Sequence, residues 1–120
     1  MTTIERSTRF IRAASWPTYA VTQFWLPGLG VRRDLFAWMD VLAFDGRDWI
    51  GIQACTSSDR LAHVRRYQAD PAVTQAIKSW MAIECHKAQL WCWSRRKVKR
   101  GGKAKRWHRA VTDLSMEILF

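Results

Sequence analysis

The sequence is poor in acidic residues and contains no long apolar run. Its 10 Asp and Glu stand against 20 Lys and Arg, which gives a formal net charge of +10. Such a surface favours binding to polyanions, either nucleic acid or anionic lipid. No apolar stretch approaches the roughly 20 residues of a membrane-spanning helix, so we expect no membrane partner. The N-terminal residues lack the apolar core of a signal peptide, and we expect a cytoplasmic location in a bacterial or phage-infected cell.

Cysteine and histidine are also scarce, at 3 residues each. An odd number of cysteines without Cys-x-x-Cys spacing argues against a disulfide framework. Cys85, His86 and Cys92 lie near one another in the sequence, but their spacing fits no common zinc site. The fold is therefore expected to depend on an ordinary hydrophobic core.

The material for such a core is present. The chain has 120 residues, of which 48% are apolar and 8 are tryptophan. This length fits a single domain over residues 1–120. We place Trp38, Trp49 and Trp80 in the core, because each lies in an apolar segment. Trp107 lies among cations and is the better candidate for stacking on a nucleic-acid base.

Hydrophobic periodicity and turn signals predict an α/β fold with the element order α-β-β-β-α-α-β-β. The first helix covers residues 3–15, the second follows the N-capping residues 56–59 and runs to about residue 68, and the third starts at Asp70-Pro71. The predicted strands cover residues 19–25, 35–44, 49–55, 88–94 and 107–114. Residues 35–55 form a hairpin around an Asp-Gly turn, and its apolar strands indicate a central position in the sheet.

One charged residue, Asp40, interrupts the apolar run LFAWMDVLAF at residues 35–44. A buried carboxylate must be paired, protonated or bound to a metal ion. Two hairpin registers are open: Asp40 lies directly opposite Gln53 in one and a diagonal step away in the other. Both place Asp40, Gln53 and Cys55 on one face, whereas a three-residue loop would break this arrangement.

Two further carboxylates are candidates to approach this cluster. Asp34 precedes the strand that carries Asp40, and Glu5 lies on the first helix. Oxygen ligands of this kind suit Mg²⁺ or Mn²⁺, and Mg²⁺ usually takes one or two carboxylates together with water and phosphate oxygens. The metal prediction therefore comprises Asp40, Gln53 and Asp34. A bound ion there would activate water and stabilise charge on a phosphate.

The hairpin resembles the core motif of the PD-(D/E)XK nuclease superfamily, which is restriction-endonuclease-like, and is most similar to its small phage-type and Holliday-junction-resolvase-like members. The resemblance rests on MDVLA at residues 39–43 and IQAC at residues 52–55, with 13 positions from Asp40 to Gln53. It covers about the first two-thirds of the chain. It implies a central mixed β-sheet with an active-site hairpin flanked by helices, and it implies metal-dependent phosphodiester hydrolysis. The catalytic set would be Asp40, Gln53, Cys55 and Glu5.

The chain departs from that family at two positions. Gln53 stands where the family has its second acid, and Cys55 stands where it has a lysine. A cation from the following helix, Arg60 or Arg65, is a candidate to replace the lysine. The alternative interpretation makes Asp40 a structural acid paired with Arg32 or Arg33, and makes Cys55 a small core residue.

The segment from residue 95 to residue 109 holds nine cations and no acid. Gly101-Gly102 in its middle is consistent with a basic hairpin loop. Phosphate would neutralise the repulsion within the segment and release counterions, so we expect it to bind the DNA backbone by shape rather than by base sequence. The predicted contacts are Arg95, Arg96, Lys97, Lys99, Arg100, Lys103, Lys105, Arg106, Trp107 and Arg109.

Together these features predict a nucleic-acid-binding protein that acts as a metal-dependent DNA endonuclease, with branched DNA as a candidate substrate. An inactive DNA-binding or architectural protein on the same fold is the alternative, because Gln53 and Cys55 replace charged groups. A third hypothesis is an interaction module that acts on a nucleic-acid enzyme. A homodimer would suit a two-fold symmetric DNA substrate.

Overall fold

Capping side chains set where the helices begin. In the computed structural model, which describes residues 1–115, α1 (Thr3–Ala13) starts at a capping box between Thr2 and Glu5. The carboxylate of Asp70 accepts hydrogen bonds from the first amides of α3 (Pro71–Met81). Between them lies α2 (Arg60–Ala69), which follows a 3₁₀ turn over Ser57–Asp59.

Seven strands form two sheets in the described part of the chain. They are β1 (Thr18–Val21), β2 (Phe24–Leu26), β3 (Val31–Arg33), β4 (Val41–Phe44), β5 (Trp49–Thr56), β6 (His86–Lys97) and β7 (Lys105–Asp113). The main sheet has the order β1-β4-β5-β6-β7, and β2 and β3 form a separate two-stranded ribbon. Only β5 and β6 are parallel, joined through α2 and α3, so the sheet is mixed and the predicted α/β class is confirmed.

Helices cover both faces of this sheet. Ile11 of α1 packs with one set of alternating strand residues, among them Val41, Ile52 and Trp91. On the other face, Tyr67 of α2 and Ile77 of α3 pack against the remaining strand residues in a second apolar cluster. This cluster includes Leu90 and Cys92 of β6 and, from the loop before β4, Trp38 and Met39. Because successive strand residues point to opposite faces, the helix that covers a face decides which side chains meet there.

The structure corrects two predicted strands. Residues 19–25 were expected to be one strand, but β1 ends at Val21 and β2 belongs to the separate ribbon. Thr22 still bonds to the loop before β4, because its amide and hydroxyl donate to the carbonyls of Asp40 and Met39, and the chain leaves the main sheet after it. Residues 35–44 were expected to be one strand, but residues 34–40 form a loop and only Val41–Phe44 is extended.

That loop has an apolar sequence because it contributes to the core. Phe36 and Ala37 have positive φ angles of 55° and 67°, which turn the chain sharply. The turn directs Trp38 and Met39 inward, where both are fully buried. A continuous apolar run therefore mimics a buried strand, and periodicity alone does not separate the two.

The basic segment and one tryptophan also differ from expectation. Residues 95–97 and 105–106 were read as part of a loop, but they extend β6 and β7 as paired strands. β3, which holds only three residues, was not predicted. Trp38 is buried as expected, whereas Trp49 is 38% exposed, so its assignment to the core was wrong.

Three features meet at one end of the main sheet. Val21 ends β1, Val41 begins β4, and the parallel strands β5 and β6 both end there, as the pairing directions require. The β2–β3 ribbon leaves and rejoins the sheet at this end. β6 also continues for residues 94–97 past Trp93, which pairs with the last residue of β5, so the β6–β7 hairpin projects about 13 Å beyond β5. We call this end of the sheet, where Asp40 directly precedes β4, the loaded end.

Gly51 allows the loop before β4 to pack on β5. A Cβ atom at Gly51 would overlap the Trp38 ring and lie 2.6 Å from Cε of Met39. We predict that Gly51→Ala lowers the free energy of unfolding by about 1–3 kcal/mol, because overpacking forces this loop away from the sheet. Thermal and urea unfolding followed by circular dichroism measure the loss. Trp38→Phe in the Gly51→Ala background should recover part of it by removing the overlapping ring atoms, and an unchanged midpoint in Gly51→Ala would contradict this packing.

Candidate functional site

Asp40 and Gln53 are direct neighbours across β4 and β5. Val41 pairs with Ile52, so the first of the two predicted registers is the one adopted, and the amide of Asp40, directly before β4, donates to the carbonyl of Ile52. Oδ2 of Asp40 accepts hydrogen bonds from Nε2 of Gln53 at 3.0 Å and from the amide of Ala54 at 2.9 Å. Both side chains are 3% exposed. The predicted sharing of one face is therefore present in the structure.

A chain of polar side chains extends from this contact in both directions. The hydroxyl of Tyr67 donates to Oε1 of Gln53 at 2.9 Å. On the other side the carboxyl group of Asp34 is close enough to interact electrostatically with Asp40, and Oδ1 of Asp34 accepts from the side-chain amide of Gln23 at 3.0 Å. These contacts replace the predicted ion pair with Arg32 or Arg33. We call Asp34 and Asp40 the carboxyl pair.

Burial and the neighbouring acid make Asp40 a weak acid. Desolvation, followed by the hydrogen bond to Asp34 and the repulsion from its charge, raises the pKa of Asp40 from 3.8 to about 8. The hydrogen bonds from Ala54 and Gln53 oppose this rise but are smaller effects. With a pKa of about 8, Asp40 carries its proton in most molecules at neutral pH.

The carboxyl pair fits the carboxylate part of a Mg²⁺ site, because Mg²⁺ commonly takes two carboxylates and completes its shell with water and phosphate. Gln53 fits less well, since its oxygen accepts from Tyr67 and its nitrogen faces Asp40. Within residues 1–115 no third His, Cys, Asp or Glu joins the pair in a metal-binding group. A divalent ion there would have to displace the proton that Asp40 carries at neutral pH.

Cys55 lies on the same sheet face as Gln53 but points into the core. It is 4% exposed, and its Sγ lies 3.4 Å from Sγ of Cys92 on the neighbouring strand. The contact with Cys92, together with burial, raises the pKa of Cys55 far above its usual value, so the sulfur remains a neutral thiol. In this position Cys55 packs as a small apolar residue and does not reach the carboxyl pair.

Glu5 is not brought to the carboxyl pair. It lies in the first turn of α1, which packs on the opposite face of the sheet from Tyr67 and Gln53. Its carboxylate accepts from the amide of Thr2 and so caps the helix. The residues that the structure brings together are therefore Asp34, Asp40 and Gln53.

Cations surround the solvent side of the carboxyl pair. Asp34 lines a cavity of about 430 Å³ together with Arg32, Arg33, Ala37, Arg66, Asp70 and Val73. Of the helix cations, Arg66 lines this cavity and donates to the carbonyl of Ala37, whereas Arg60 reaches away to the hydroxyl of Thr112. Arg60 and Arg65 were the predicted cations, and Arg66 was not among them. The position of Arg66 next to the inward-facing Tyr67 could have indicated that it lies near the carboxyl pair.

The basic hairpin, residues 95–109, presents cations opposite cations. Arg96 pairs with Arg106 and Lys97 pairs with Lys105 across the two strands. Like charges directly opposite one another destabilise a strand pair. All four side chains are exposed, and the ion pair of Lys87 with Asp48 lies at the other end of the sheet. The repulsion within the hairpin is thus left for an external anion to relieve.

Arginines of α1 and β7 stack on aromatic rings beside this hairpin. The guanidinium of Arg6 lies 3.6 Å from the ring centroid of Trp107, and that of Arg109 lies 3.7 Å from Phe10. Trp107, the predicted stacking residue, is 41% exposed. A groove of about 330 Å³ between α1 and the hairpin is lined by Met1, Arg6, Arg9, Phe10, Ala13, Trp93 and Trp107.

The α1 arginines were absent from the predicted interface. Arg6 and Arg9 are separated by one helical turn, so they lie on the same side of α1. Nothing in the sequence indicates that this side faces the basic hairpin, because the contact joins residues about 100 positions apart. The cationic surface therefore includes α1 as well as β6 and β7.

The chain matches no protein-family model, no curated protein and no solved structure. The resemblance to the nuclease superfamily thus stays a prediction from the hairpin residues. In residues 1–115 no helix is both long enough and apolar enough to cross a membrane.

The raised pKa of Asp40 predicts that the free energy of unfolding depends on pH. Because the pKa of Asp40 is higher in the folded chain than in the unfolded chain, its stabilising effect is complete at acidic pH and declines as pH rises from about 4 to about 8. One such group changes the free energy of unfolding by at most about 1.4 kcal/mol per pH unit. Asp40→Asn mimics the protonated acid, so the variant should gain stability relative to the native chain across this interval. Urea unfolding at several pH values measures the difference, and parallel pH profiles would contradict the assignment.

Proposed function

We propose that this protein binds nucleic acid through its basic hairpin and the arginine-bearing side of α1. The observation that carries the proposal is the pairing of Arg96 with Arg106 and of Lys97 with Lys105 in an exposed hairpin without acids. Phosphates placed along the hairpin would relieve this repulsion and release counterions.

The form of the interface favours recognition of the backbone and of exposed bases. The basic hairpin is a two-stranded ribbon rather than a helix that presents side chains to a major groove. Its arginines and lysines suit phosphate contacts, which position a protein without reading sequence. Trp107 and the groove beside Phe10 add aromatic surface on which bases can stack.

The first test concerns salt dependence. We predict that Arg96→Ala combined with Arg106→Ala lowers the slope of log affinity against log salt by about 2 for duplex DNA, since each phosphate contact contributes about 0.9. Fluorescence anisotropy with a labelled DNA of random sequence measures affinity across a salt series. Both side chains are exposed and repel each other across the strands, so the melting temperature should not fall.

Arg47→Glu is the matched control for this double variant. It changes the net charge by the same two units, but Arg47 lies in the turn between β4 and β5 at the other end of the sheet. The control should bind DNA almost as the native chain does. An equal loss in both variants would mean that net charge alone, and not the hairpin, determines binding. No measurable DNA affinity in the native chain would refute the proposal and favour the interaction-module hypothesis.

A second candidate function is metal-dependent hydrolysis of DNA at the carboxyl pair. Asp34 and Asp40 lie at the loaded end of the sheet, as do the basic hairpin and the cavity cations. The mixed sheet with helices on both faces agrees with the architecture that the PD-(D/E)XK resemblance implies, which supports this candidate. Asp34 and Asp40 would hold Mg²⁺ or Mn²⁺, and the bound ion would supply an activated water and neutralise charge on the phosphate.

The other residues have narrower roles in this candidate. Gln53 holds Asp40 in place through its amide nitrogen and is itself held by Tyr67, so it acts as a positioning residue. Cys55 takes no part, because it is buried against Cys92. Arg66, which lines the cavity with Asp34, would attract the phosphate in place of the missing lysine. A homodimer remains a prediction that follows from two-fold substrates alone.

The test of hydrolysis is a gel assay of branched, single-stranded and duplex DNA with Mg²⁺ or Mn²⁺. We predict that Asp34→Asn and Asp40→Asn each reduce cleavage by more than about 100-fold, since loss of an indirect metal contact alone costs about 10–100-fold. Cys55→Ser should remain active. The control is Asp113→Asn, which removes a carboxylate on the edge strand β7, three strands away from β4. Binding without cleavage of any substrate would leave the protein as a non-catalytic DNA binder, and cleavage that survives Asp40→Asn would exclude this site.

A further inference from the structure

The β2–β3 ribbon exposes aromatic and arginine side chains that the fold does not use. Phe24 is 46% exposed, Trp25 is 58% exposed, and Leu29 at the tip is 70% exposed. The pairing places Trp25 opposite Arg32 and Phe24 opposite Arg33, so each face of the ribbon carries an aromatic ring and a guanidinium. A two-stranded ribbon with both faces open to water is marginally stable and is normally covered by a partner.

The position of the ribbon ties it to the carboxyl pair. Asp34 follows directly after β3, and its carboxylate accepts from Gln23, the residue directly before β2. Thr22 is anchored to the carbonyls of Met39 and Asp40 at the root of the ribbon. Arg32 and Arg33 line the same cavity as Asp34. Anything bound on the ribbon therefore lies next to Asp34 and Asp40.

The positive charge of the β2–β3 ribbon indicates which class of partner binds to it. The ten residues from Phe24 to Arg33 contain two arginines and no acid, and the whole chain carries a formal charge of +10. A second copy of the chain would bring like charge to this surface, whereas nucleic acid brings phosphates for the arginines. Exposed aromatic rings beside guanidinium groups also match the way in which single strands are bound, with bases stacked on the rings.

The basic hairpin and the ribbon lie at opposite edges of the loaded end. β1, from which the ribbon departs, and β7 are the two edge strands of the five-stranded sheet. Across the sheet, four spacings of about 4.8 Å, or roughly 19 Å, separate these two strands, and the carboxyl pair lies beside β4 in between; the basic hairpin also extends beyond β5 along the strand direction. One nucleic acid could therefore contact both, with its backbone on the hairpin and an opened part of its bases on the ribbon.

We propose that the β2–β3 ribbon is a wedge that holds unpaired bases, with Trp25 and Phe24 as the stacking residues, so that the protein prefers nucleic acid with an opened base step over intact duplex. This inference rests on the proposed nucleic-acid binding and specifies its substrate. An intact duplex must first be unstacked to meet the rings, which costs a few kcal/mol for each step. DNA with unpaired bases, at a branch or a fork, avoids this cost.

The experiment compares two labelled DNAs that differ in one feature. Each carries 2-aminopurine, in one case at an unpaired position beside a duplex and in the other at the same position fully paired. We expect the native chain to bind the first about tenfold more tightly, as one or two stacked bases allow, and to change the fluorescence of the unpaired base. Phe24→Ser combined with Trp25→Ser should abolish both the preference and the fluorescence change and leave affinity for paired duplex unaltered.

Controls separate this inference from the proposed function. Trp25→Phe should keep most of the preference, and Trp49→Ser, which alters an exposed tryptophan at the other end of the sheet, should keep all of it. Arg96→Ala with Arg106→Ala should weaken both DNAs equally. Equal melting temperatures of the ribbon variant and the native chain confirm that the fold is intact.

Three outcomes would overturn the inference. A preference that survives the ribbon variant removes the wedge while the proposed binding function stands. A native chain that is dimeric in analytical ultracentrifugation, and becomes monomeric in the ribbon variant without a change in DNA binding, assigns the ribbon to a second copy. A native chain that binds neither DNA refutes the proposed function and the wedge together.

Discussion

Asp40 is the buried group around which the loaded end is organised. A buried carboxyl group at 3% exposure is costly unless it is hydrogen-bonded or protonated. Asp40 accepts hydrogen bonds from Gln53 and Ala54, and its raised pKa keeps it mostly protonated at neutral pH. These contacts hold β4 in register with β5 and tie the loop of residues 34–40 to the sheet. Because Thr22 bonds to the carbonyl of Asp40, the root of the β2–β3 ribbon depends on the same point. A change at Asp40 is therefore expected to affect register, loop and ribbon together.

Charge is distributed unevenly along the sheet. Asp48 lies at one end, where its carboxylate pairs with Lys87. At the other end the basic hairpin places cations opposite cations, and Arg6 and Arg109 are held over aromatic rings rather than over acids. Stacking fixes the guanidinium groups without neutralising them. The cationic end thus keeps its charge available for a polyanion, at a cost in hairpin stability that the core of the sheet must offset.

The sequence was sufficient where turn chemistry and the alternation of side chains along a strand both limit which residues can face each other. The Asp-Gly turn and the apolar strands around it were sufficient to bring Asp40 and Gln53 to one face, since only a change of loop length could separate them. The same reasoning missed Arg66, Arg6 and Arg9, because their partners lie on distant elements. It also extended the strand before Asp40 too far, since Trp38 and Met39 are buried by a turn with positive φ angles and not by a strand.

The amino-acid sequence by itself determined the α/β class, the buried acid facing an amide, and a cationic segment without acids, because these follow from local periodicity and composition. Only the tertiary structure decided that Asp34 reaches Asp40, that Glu5 lies across the sheet from it, and that two cationic hairpins lie at the same end. These arrangements depend on strand order and on the directions in which strands pair. Such long-range choices are made by packing the whole core, and no short stretch of sequence encodes them.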